Sequence, residues 1–235
     1  MALVVGDVHG RIDKVELFLA HKPEEKHIFT GDYVDSFVQS DRIIYQTLKC
    51  VLESNAILII GNHDIHYLTN PPFMCGGYRQ HMAESINKIL ESFITRFMPV
   101  ALEDGFIITH AGISKGLALN SLRTTEPNDI CKIINHDWEI FLGTRHMKSG
   151  NRASIFNIPE SRGGTDVFGG IFWADYRDEE YIDIPQVFGH SKTPSGVLQV
   201  NPDHWAVGCD DYKFECFNTA TKEVEGFGID TRGTA

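Results

Sequence analysis

The sequence predicts an α/β protein with a second, antiparallel-rich sheet, and three observations predict it. Short β-branched strands in the first half run into glycine loops and then into segments of helical period. After about Phe168 the texture changes to short strands separated by turns. Four strands also stop at a polar cluster, and in a parallel α/β sheet such strand ends line one edge, where ligands bind.

Leu3-Val4-Val5 is the first strand, and Arg11 to roughly Lys22 follows with Ile12, Val15, Phe18 and Leu19 near helical spacing. His27 to Thr30 is the second. Ser40 then stands as an N-cap for a helix carrying Ile43, Ile44, Thr47, Leu48, Val51 and Leu52 on one face. Ala56 to Ile60 is the third strand and Phe106 to Thr109 the fourth. Between them Arg79 to Phe97, with Ile86, Ile89, Leu90, Phe93, Ile94 and Phe97, is the longest amphipathic stretch and should cover a sheet face. Ile113 to Gly170 is polar, basic and glycine-containing, with no clean period after Ile140. It reads as a cap-like elaboration around residues 113–170 of one domain spanning 1–235. Val187-Phe188, Val197 to Val200, Trp205 to Val207 and Phe214 to Phe217, followed by a turn at Asn218 to Lys222, make the second sheet.

Bulk properties exclude several function classes. A formal charge of -11 and a pI near 5.4 argue against a nucleic-acid platform or an anionic membrane surface, which need clustered Lys and Arg. No apolar run approaches the roughly 20 residues of a membrane span. The first strand enters Gly6-Asp7 with no room for a leader, so a cytoplasmic protein is expected. Cys50, Cys75, Cys131, Cys209 and Cys216 are odd in number with no C-x-x-C pair, and read as reduced thiols.

Five short motifs carry the chemistry: Gly6-Asp7-Val8-His9-Gly10, Gly31-Asp32-Tyr33-Val34-Asp35, Gly61-Asn62-His63-Asp64, Thr109-His110-Ala111-Gly112 and Gly189-His190. Asp, His and Asn are the donors that hard-to-borderline divalent metals take, and each cluster has a glycine for a sharp turn. Asp7 and His9, two residues apart, point the same way and can grip one cation. Asp32, at the equivalent end of the neighbouring strand, is the candidate bridge, and Asn62, His110 and His190 complete a second site. Two divalent ions about 3.5–4 Å apart lower the pKa of a shared water to about 7 and clamp the oxygens of an in-line displacement. His63, beside Asn62, is placed to protonate the leaving alkoxide, and Asp35 to orient that imidazole. The chemistry implied is metal-assisted phosphoester hydrolysis. Manganese is the expected metal, and iron and zinc accept the same ligands.

These motifs resemble the calcineurin-like metallophosphoesterases, specifically the phosphoprotein phosphatase branch with the bacterial diadenosine tetraphosphatases. The resemblance runs from Gly6 to the closing strands. It implies two packed mixed β-sheets flanked by helices, with Asp7, His9, Asp32, Asn62, His110 and His190 as metal ligands and His63 with Asp35 as acid and partner. It also implies that Asn62 and Arg177 contact the substrate phosphate, Arg177 by way of Phe172-Trp173-Ala174-Asp175-Tyr176-Arg177, which resembles a Trp-containing segment of the family. The substrate implied is a phosphorylated protein of the Ser/Thr type, with a dinucleoside polyphosphate as the alternative. Two departures stand out. Ser36 and Phe37 follow Asp35 where the phosphoprotein phosphatase pattern has Arg-Gly, and the third motif ends in Asp64, closer to the diadenosine tetraphosphatase form.

A Gly-Asp loop alone is usually a turn, but five clusters in order, four at strand ends, would each need a separate explanation. A non-catalytic binding module on the same scaffold is the competing class, and the intact ligand set argues against it. His66 reads as a residue behind the site, and His21, His27, His81, His136, His146 and His204 as surface. Arg145, Arg152 and Arg162 are reserve candidates for phosphate. The pairs Gly163-Gly164 and Gly169-Gly170 read as flexible loop.

Overall fold

Apolar alternation on the first strand sets the layering. In β1 (Ala2–Val5) Ala2 and Val4 face one way and Leu3 and Val5 the other, and all four are buried, as a strand covered on both faces requires. The computed structural model describes residues 1–147, 152–209 and 214–228. The chain continues through α1 (Ile12–Ala20), β2 (Lys26–Phe29), α2 (Asp41–Glu53), β3 (Ile57–Ile59), the single turn α3 (Asn62–Ile65) and α4 (Ala83–Ser92). β4 (Phe97–Met98), β5 (Val100–Glu103), β6 (Phe106–Thr109), the turn α5 (Lys115–Leu117) and α6 (Pro127–Thr144) follow. β7 (Gln186–Phe188), β8 (Val197–Asn201), β9 (His204–Val207), β10 (Glu215–Asn218) and β11 (Glu223–Gly226) close the order.

Two mixed sheets result. The first runs β11-β10-β1-β2-β3-β4, with β1 to β4 parallel and the β10–β11 hairpin antiparallel beside β1. The second runs β5-β6-β7-β9-β8, parallel through β6, β7 and β9 and antiparallel at both edges. Ala2, Val4, Ile28 and Ile59 of the first sheet meet Phe106, Ile108, Val187, Trp205 and Val207 of the second in a shared layer. On the outer face Leu3, Val5, Phe29 and Leu58 pack with Val15 and Phe18 of α1 and Ile44, Leu48 and Val51 of α2. Among the described residues no helix is long and apolar enough to cross a membrane.

Several expectations need correction. The fourth motif strand, β6, lies in the second sheet, so the polar ends meet where two sheets abut and not along one edge of one sheet. The second sheet is mixed rather than mainly antiparallel, and Phe214 to Phe217 contributes β10 to the first. The helix expected over 79–97 is only Ala83–Ser92: a 3₁₀ turn at Ile94–Arg96 breaks it, Phe97 pairs as β4, and Phe93 stays 46% exposed. The longest helix is α6, 18 residues within the cap-like region, started by Pro127 and buried through Ile130, Ile134 and Trp138. Residues 148–151 of that region lie outside the described residues. Ser40 has N-cap dihedrals, but its side chain makes no capping bond. Gly169 and Gly170 are held by close packing, a Cβ on Gly169 standing 2.7 Å from Ala174 Cα and one on Gly170 2.6 Å from Ser154 O, whereas Gly163 sits at φ +82 with open space where a Cβ would be. His27 and His204 are buried, each bonded to backbone carbonyls, and half-buried His21 bonds Glu225, whereas His81, His136 and His146 are exposed.

Candidate dinuclear metal centre

The loops after β1, β2 and β3 are pinned together by their backbones. The His9 N–H donates to Asp32 O at 2.7 Å and the Gly10 N–H to Tyr33 O at 3.2 Å. Asp64, fully buried, accepts from the N–H groups of Asp32, Tyr33 and Gly61 at 2.9 Å and of Val34 at 3.3 Å. Burial and the Asp32 charge push its carboxyl pKa up while those amides pull it down. With both oxygens accepting only N–H donors, the ionised form is the one the geometry serves. Gly31 sits at φ +116, and a Cβ there would meet the Gly61 backbone at 2.6 Å, so two motifs touch main chain to main chain. The glycines were expected for sharp turns; at Gly61 close approach to the Asp32 N–H, not a positive φ, is the requirement. The left-handed conformations fall instead on site residues, with φ of 44 at His9, 53 at Asp32, 58 at Asp35 and 66 at His190. Such strain persists only where surrounding bonds over-determine it.

Backbone carbonyls then set the imidazoles. His9 Nδ1 lies 2.9 Å from Asp35 O and His110 Nδ1 2.8 Å from Thr30 O. A carbonyl only accepts, so each Nδ1 carries the proton and each Nε2 presents a lone pair inward. His9 Nε2 faces Asp7 Oδ2 at 3.8 Å and Asp32 Oδ2 at 3.7 Å. His110 Nε2 faces Asn62 Oδ1 at 2.8 Å, His190 Nδ1 at 3.1 Å and Asp32 Oδ2 at 3.6 Å. These donors form two clusters, Asp7-His9-Asp32 and Asp32-His110-His190, which have Asp32 in common, and a further group, Asp35-His63-His66, stands beside them.

The donors fit two cations and leave gaps without them. Asp7 Oδ1 accepts the His190 N–H at 2.9 Å, but Oδ2 is buried with no donor among the described residues, and burial together with Asp32 pushes the Asp7 pKa up. Asn62 Oδ1 lies 3.2 and 3.3 Å from the Asp32 oxygens, acceptor against acceptor, unless the amide is turned over. A divalent ion held by these oxygens would resolve both conflicts. Burial raises the Asp32 carboxyl, but the imidazoles of His110, His63, His9 and His190 outweigh it and hold it well below the usual range. Burial, His110 and Arg162 keep His190 neutral, the state a ligand needs.

His63 stands beside the donors in a separate network. Its N–H donates to Asp32 Oδ1 at 2.9 Å and its Nδ1 lies 3.0 Å from Asp35 Oδ2. Burial lowers its pKa, but Asp32 and then Asp35 outweigh it and raise it to about 9. The imidazolium that results is an acid, and nearby cations would bring it back toward neutrality. Asp35 in turn receives Tyr67 OH at 2.5 Å and has His66 Nε2 at 2.7 Å. His66 Nδ1 accepts the Cys75 N–H at 3.1 Å, which leaves its proton on Nε2. His66 therefore stands behind the site, as expected. Tyr67 was missed, because an aromatic three residues past Asp64 is indistinguishable in sequence from core.

His9, Asp32, Asp35, Asn62, His63 and His190 open on one cavity of about 440 Å³, lined also by Ser36, Trp173, Arg162, Arg177, Lys192 and Cys209. Arg177 bonds Asp175 through Nε at 3.0 Å and Nη2 at 2.6 Å, with half of its side chain exposed. Arg162 reaches the same Asp175 oxygen and Ser191 Oγ at 3.2 Å, and its buried Nε has no hydrogen-bond partner among the described residues. Arg145 is bound to Glu91 and Arg152 to Asp166, away from this cavity. Cys216 is buried in the core, and Cys209 reaches the cavity wall with its thiol pushed up to about 12 by burial and by Asp7.

Known proteins resemble this chain in sequence and in fold. The mouse protein "Serine/threonine-protein phosphatase with EF-hands 1" is 27% identical over 172 residues, 68% of this chain and 26% of that protein. "Bis(5'-nucleosyl)-tetraphosphatase, symmetrical" of Actinobacillus pleuropneumoniae serotype 5b is 30% identical over 128 residues, 47% of this chain and 44% of that protein. This chain thus spans less than half the length of either relative. A cold-active protein-tyrosine phosphatase from a psychrophilic Shewanella superposes with a TM-score of 0.56 at 14% identity, over 97% of this chain and 80% of that one, which is a likeness of fold. The family profile described as calcineurin-like phosphoesterase matches residues 2–194, a span that holds every donor of both clusters. By that match, the chain belongs to the calcineurin-like phosphoesterase family.

Proposed function

We propose that the protein is a dinuclear-metal phosphoesterase that hydrolyses phosphomonoesters. One observation carries the reading: two donor clusters share Asp32 while backbone carbonyls turn the lone pairs of His9 and His110 toward it. Asp7, His9 and Asp32 would hold one divalent ion, and Asp32, Asn62, His110 and His190 the other, with manganese our first assignment. When bound, such a pair supplies an acidified water and a clamp on the phosphoryl oxygens. His63 gives the departing alkoxide its proton, and Asp35 holds His63 Nδ1 so that the opposite ring nitrogen is the one that donates. With Ser36 where the phosphoprotein phosphatase pattern has Arg, phosphate oxygens are held by Arg177 and, beside it, Arg162, with Asn62 as a neutral contact. Asp175 fixes both guanidiniums and leaves their remaining N–H groups for substrate.

The substrate we favour is a phosphorylated protein side chain, in line with the Ser/Thr phosphatases among the relatives. Asp64 favours a second reading, a dinucleoside polyphosphate, in line with the tetraphosphatase relative. The free thiols of the described cysteines support a reducing compartment such as the cytoplasm. The deciding experiment is hydrolysis of p-nitrophenyl phosphate, phosphoserine and phosphotyrosine peptides, diadenosine tetraphosphate and a bis-ester, with manganese and with chelator. Manganese-dependent release of phosphate from monoesters is expected; no turnover of any member with manganese, iron or zinc would remove the hydrolase reading.

A further inference from the structure

The loop after Asp35 holds two apolar side chains in the open. Phe37 is 89% exposed and Val38 75%, and both line the cavity that contains His63 and Asp32. A single exposed apolar residue is unremarkable; here the loop is built to present a pair. Ser36 Oγ accepts the N–H groups of Val38 at 3.3 Å and Gln39 at 3.2 Å, closing a tight turn. The Arg79 guanidinium ties the same turn down through Ser36 O, Gln39 O and Asp41. The Arg79 N–H bonds Tyr67 OH at 2.8 Å, which joins the turn to the group that holds Asp35 and so to His63. Opposite the ring stand glycines: a Cβ on Gly77 would meet Phe37 at 3.3 Å, and Gly76 lines the cavity. No side chain of those two residues fills the space before the ring. A cavity of about 440 Å³ lies within the usual range for small ligands, so a phosphate at the donors and a ring at Phe37 can share it.

From this we infer that Phe37, with Val38, forms an apolar subsite for a planar aromatic ring carried by the phosphate ester, so that the site selects ring-bearing phosphates over alkyl ones. The inference rests on the phosphoesterase reading for its biological meaning, and it narrows that site's substrate class to ring-bearing esters, a phosphotyrosine side chain or a nucleotide, in place of the alkyl Ser/Thr-type ester favoured from the relatives. An offset-stacked or edge-to-face ring pair is favoured beyond simple burial, and that increment is what selects. The ring has two natural sources, the side chain of phosphotyrosine and the base of a nucleotide.

The test is calorimetric titration of the manganese-loaded protein with non-hydrolysable pairs. Benzylphosphonate against propylphosphonate probes the aryl ester, and adenosine 5'-methylenediphosphonate against methylenediphosphonate probes the nucleotide. The parent should prefer the ring-bearing member of at least one pair, and Phe37→Ser should reduce that preference by about 2–12-fold. Phe37→Tyr should restore it. A fall in the benzyl pair alone assigns the ring to an aryl ester; a fall in the adenosine pair alone assigns it to a nucleotide. No preference in the parent, or an equal preference in Phe37→Ser, overturns the subsite. Turnover of p-nitrophenyl phosphate by the parent, measured separately, decides the hydrolase reading whichever way the ratios fall.

Discussion

The two walls of the cavity are built differently. The wall that carries Asp7, His9, Asp32, Asn62 and His63 is main chain locked to main chain, with Asp64 alone binding four amides and left-handed residues held in place. The facing wall, from Arg162 through Trp173 to Lys192, reaches the cavity with long side chains, and its two arginines share one buried carboxylate. Reaction chemistry needs donors placed within fractions of an ångström, whereas recognition of varied esters tolerates reach and rearrangement. A locked wall and an adaptable wall divide those tasks, and variants on each should fail in different ways.

The largest effect is expected on the locked wall. Asp32→Asn weakens the shared ligand, so metal content and rate should fall together, the rate by roughly 10³-fold or more, equivalent to several kcal/mol of transition-state stabilisation. Full activity with full metal content in that variant would remove the bridging assignment. His63→Asn should keep both metals and lose roughly 10²–10⁴-fold on an alkyl or phenyl phosphate, with a smaller loss on p-nitrophenyl phosphate, whose leaving group needs little protonation. Tyr67→Phe leaves a buried Asp35 oxygen without its donor and should show the same leaving-group pattern at smaller size. Equal losses across the leaving groups would mean that neither residue serves the proton.

The adaptable wall should yield smaller and more selective losses. Arg177→Ala and Arg162→Ala should each cost roughly 10–150-fold in kcat/KM, the worth of one charge-assisted contact, with metal content unchanged. The double variant measures whether the two guanidiniums serve one phosphate: a combined loss below the product of the single losses says that they do. If both single variants keep parental kcat/KM on phosphomonoesters, the phosphate is held by the metals and Asn62 alone.

The smallest effect lies outside the cavity, where Arg145 at the end of α6 bonds Glu91 of α4. Burial raises the Glu91 carboxyl, but Arg145 and the Thr69 N–H outweigh it and bring it to about 2. Because the folded pKa is depressed, the stabilisation is present above the unfolded value near 4.5 and is lost as pH falls from there toward about 2. Glu91→Gln should flatten thermal stability against pH in that window, by no more than about 1 kcal/mol for a partly exposed pair, and leave kcat at neutral pH untouched. A stability profile that is identical to the parent's across that window would show the pair to be energetically silent.

Legibility followed the same division between walls. Each candidate donor sits in a short motif at the end of a strand, so spacing and residue type sufficed to propose Asp7, His9, Asp32, Asn62, His110 and His190, and the fold gathers the Asp and His members of that set into two clusters. Asp64 stood within a motif, yet nothing local says that its carboxylate reaches back to amides about thirty residues earlier. On the adaptable wall, three arginines of the cap-like region were equivalent in sequence, and only packing separated Arg162 from Arg145 and Arg152. Helix limits failed where a pattern suits two structures: Phe97 fits a helical period, but its β4 pairing with Leu58 of β3 outweighs it.

By itself the sequence determined the alternation of strands and helices, the order of the motifs and the donor chemistry, because these depend on neighbours within a few residues. Tertiary structure decided that β6 belongs to the second sheet, that two donor clusters converge on Asp32, that Tyr67 and His66 meet Asp35, and that Asp175 meets Arg177 and Arg162. Those outcomes rest on contacts between residues far apart in the chain, formed when two sheets bury a common apolar layer and bring their polar ends together.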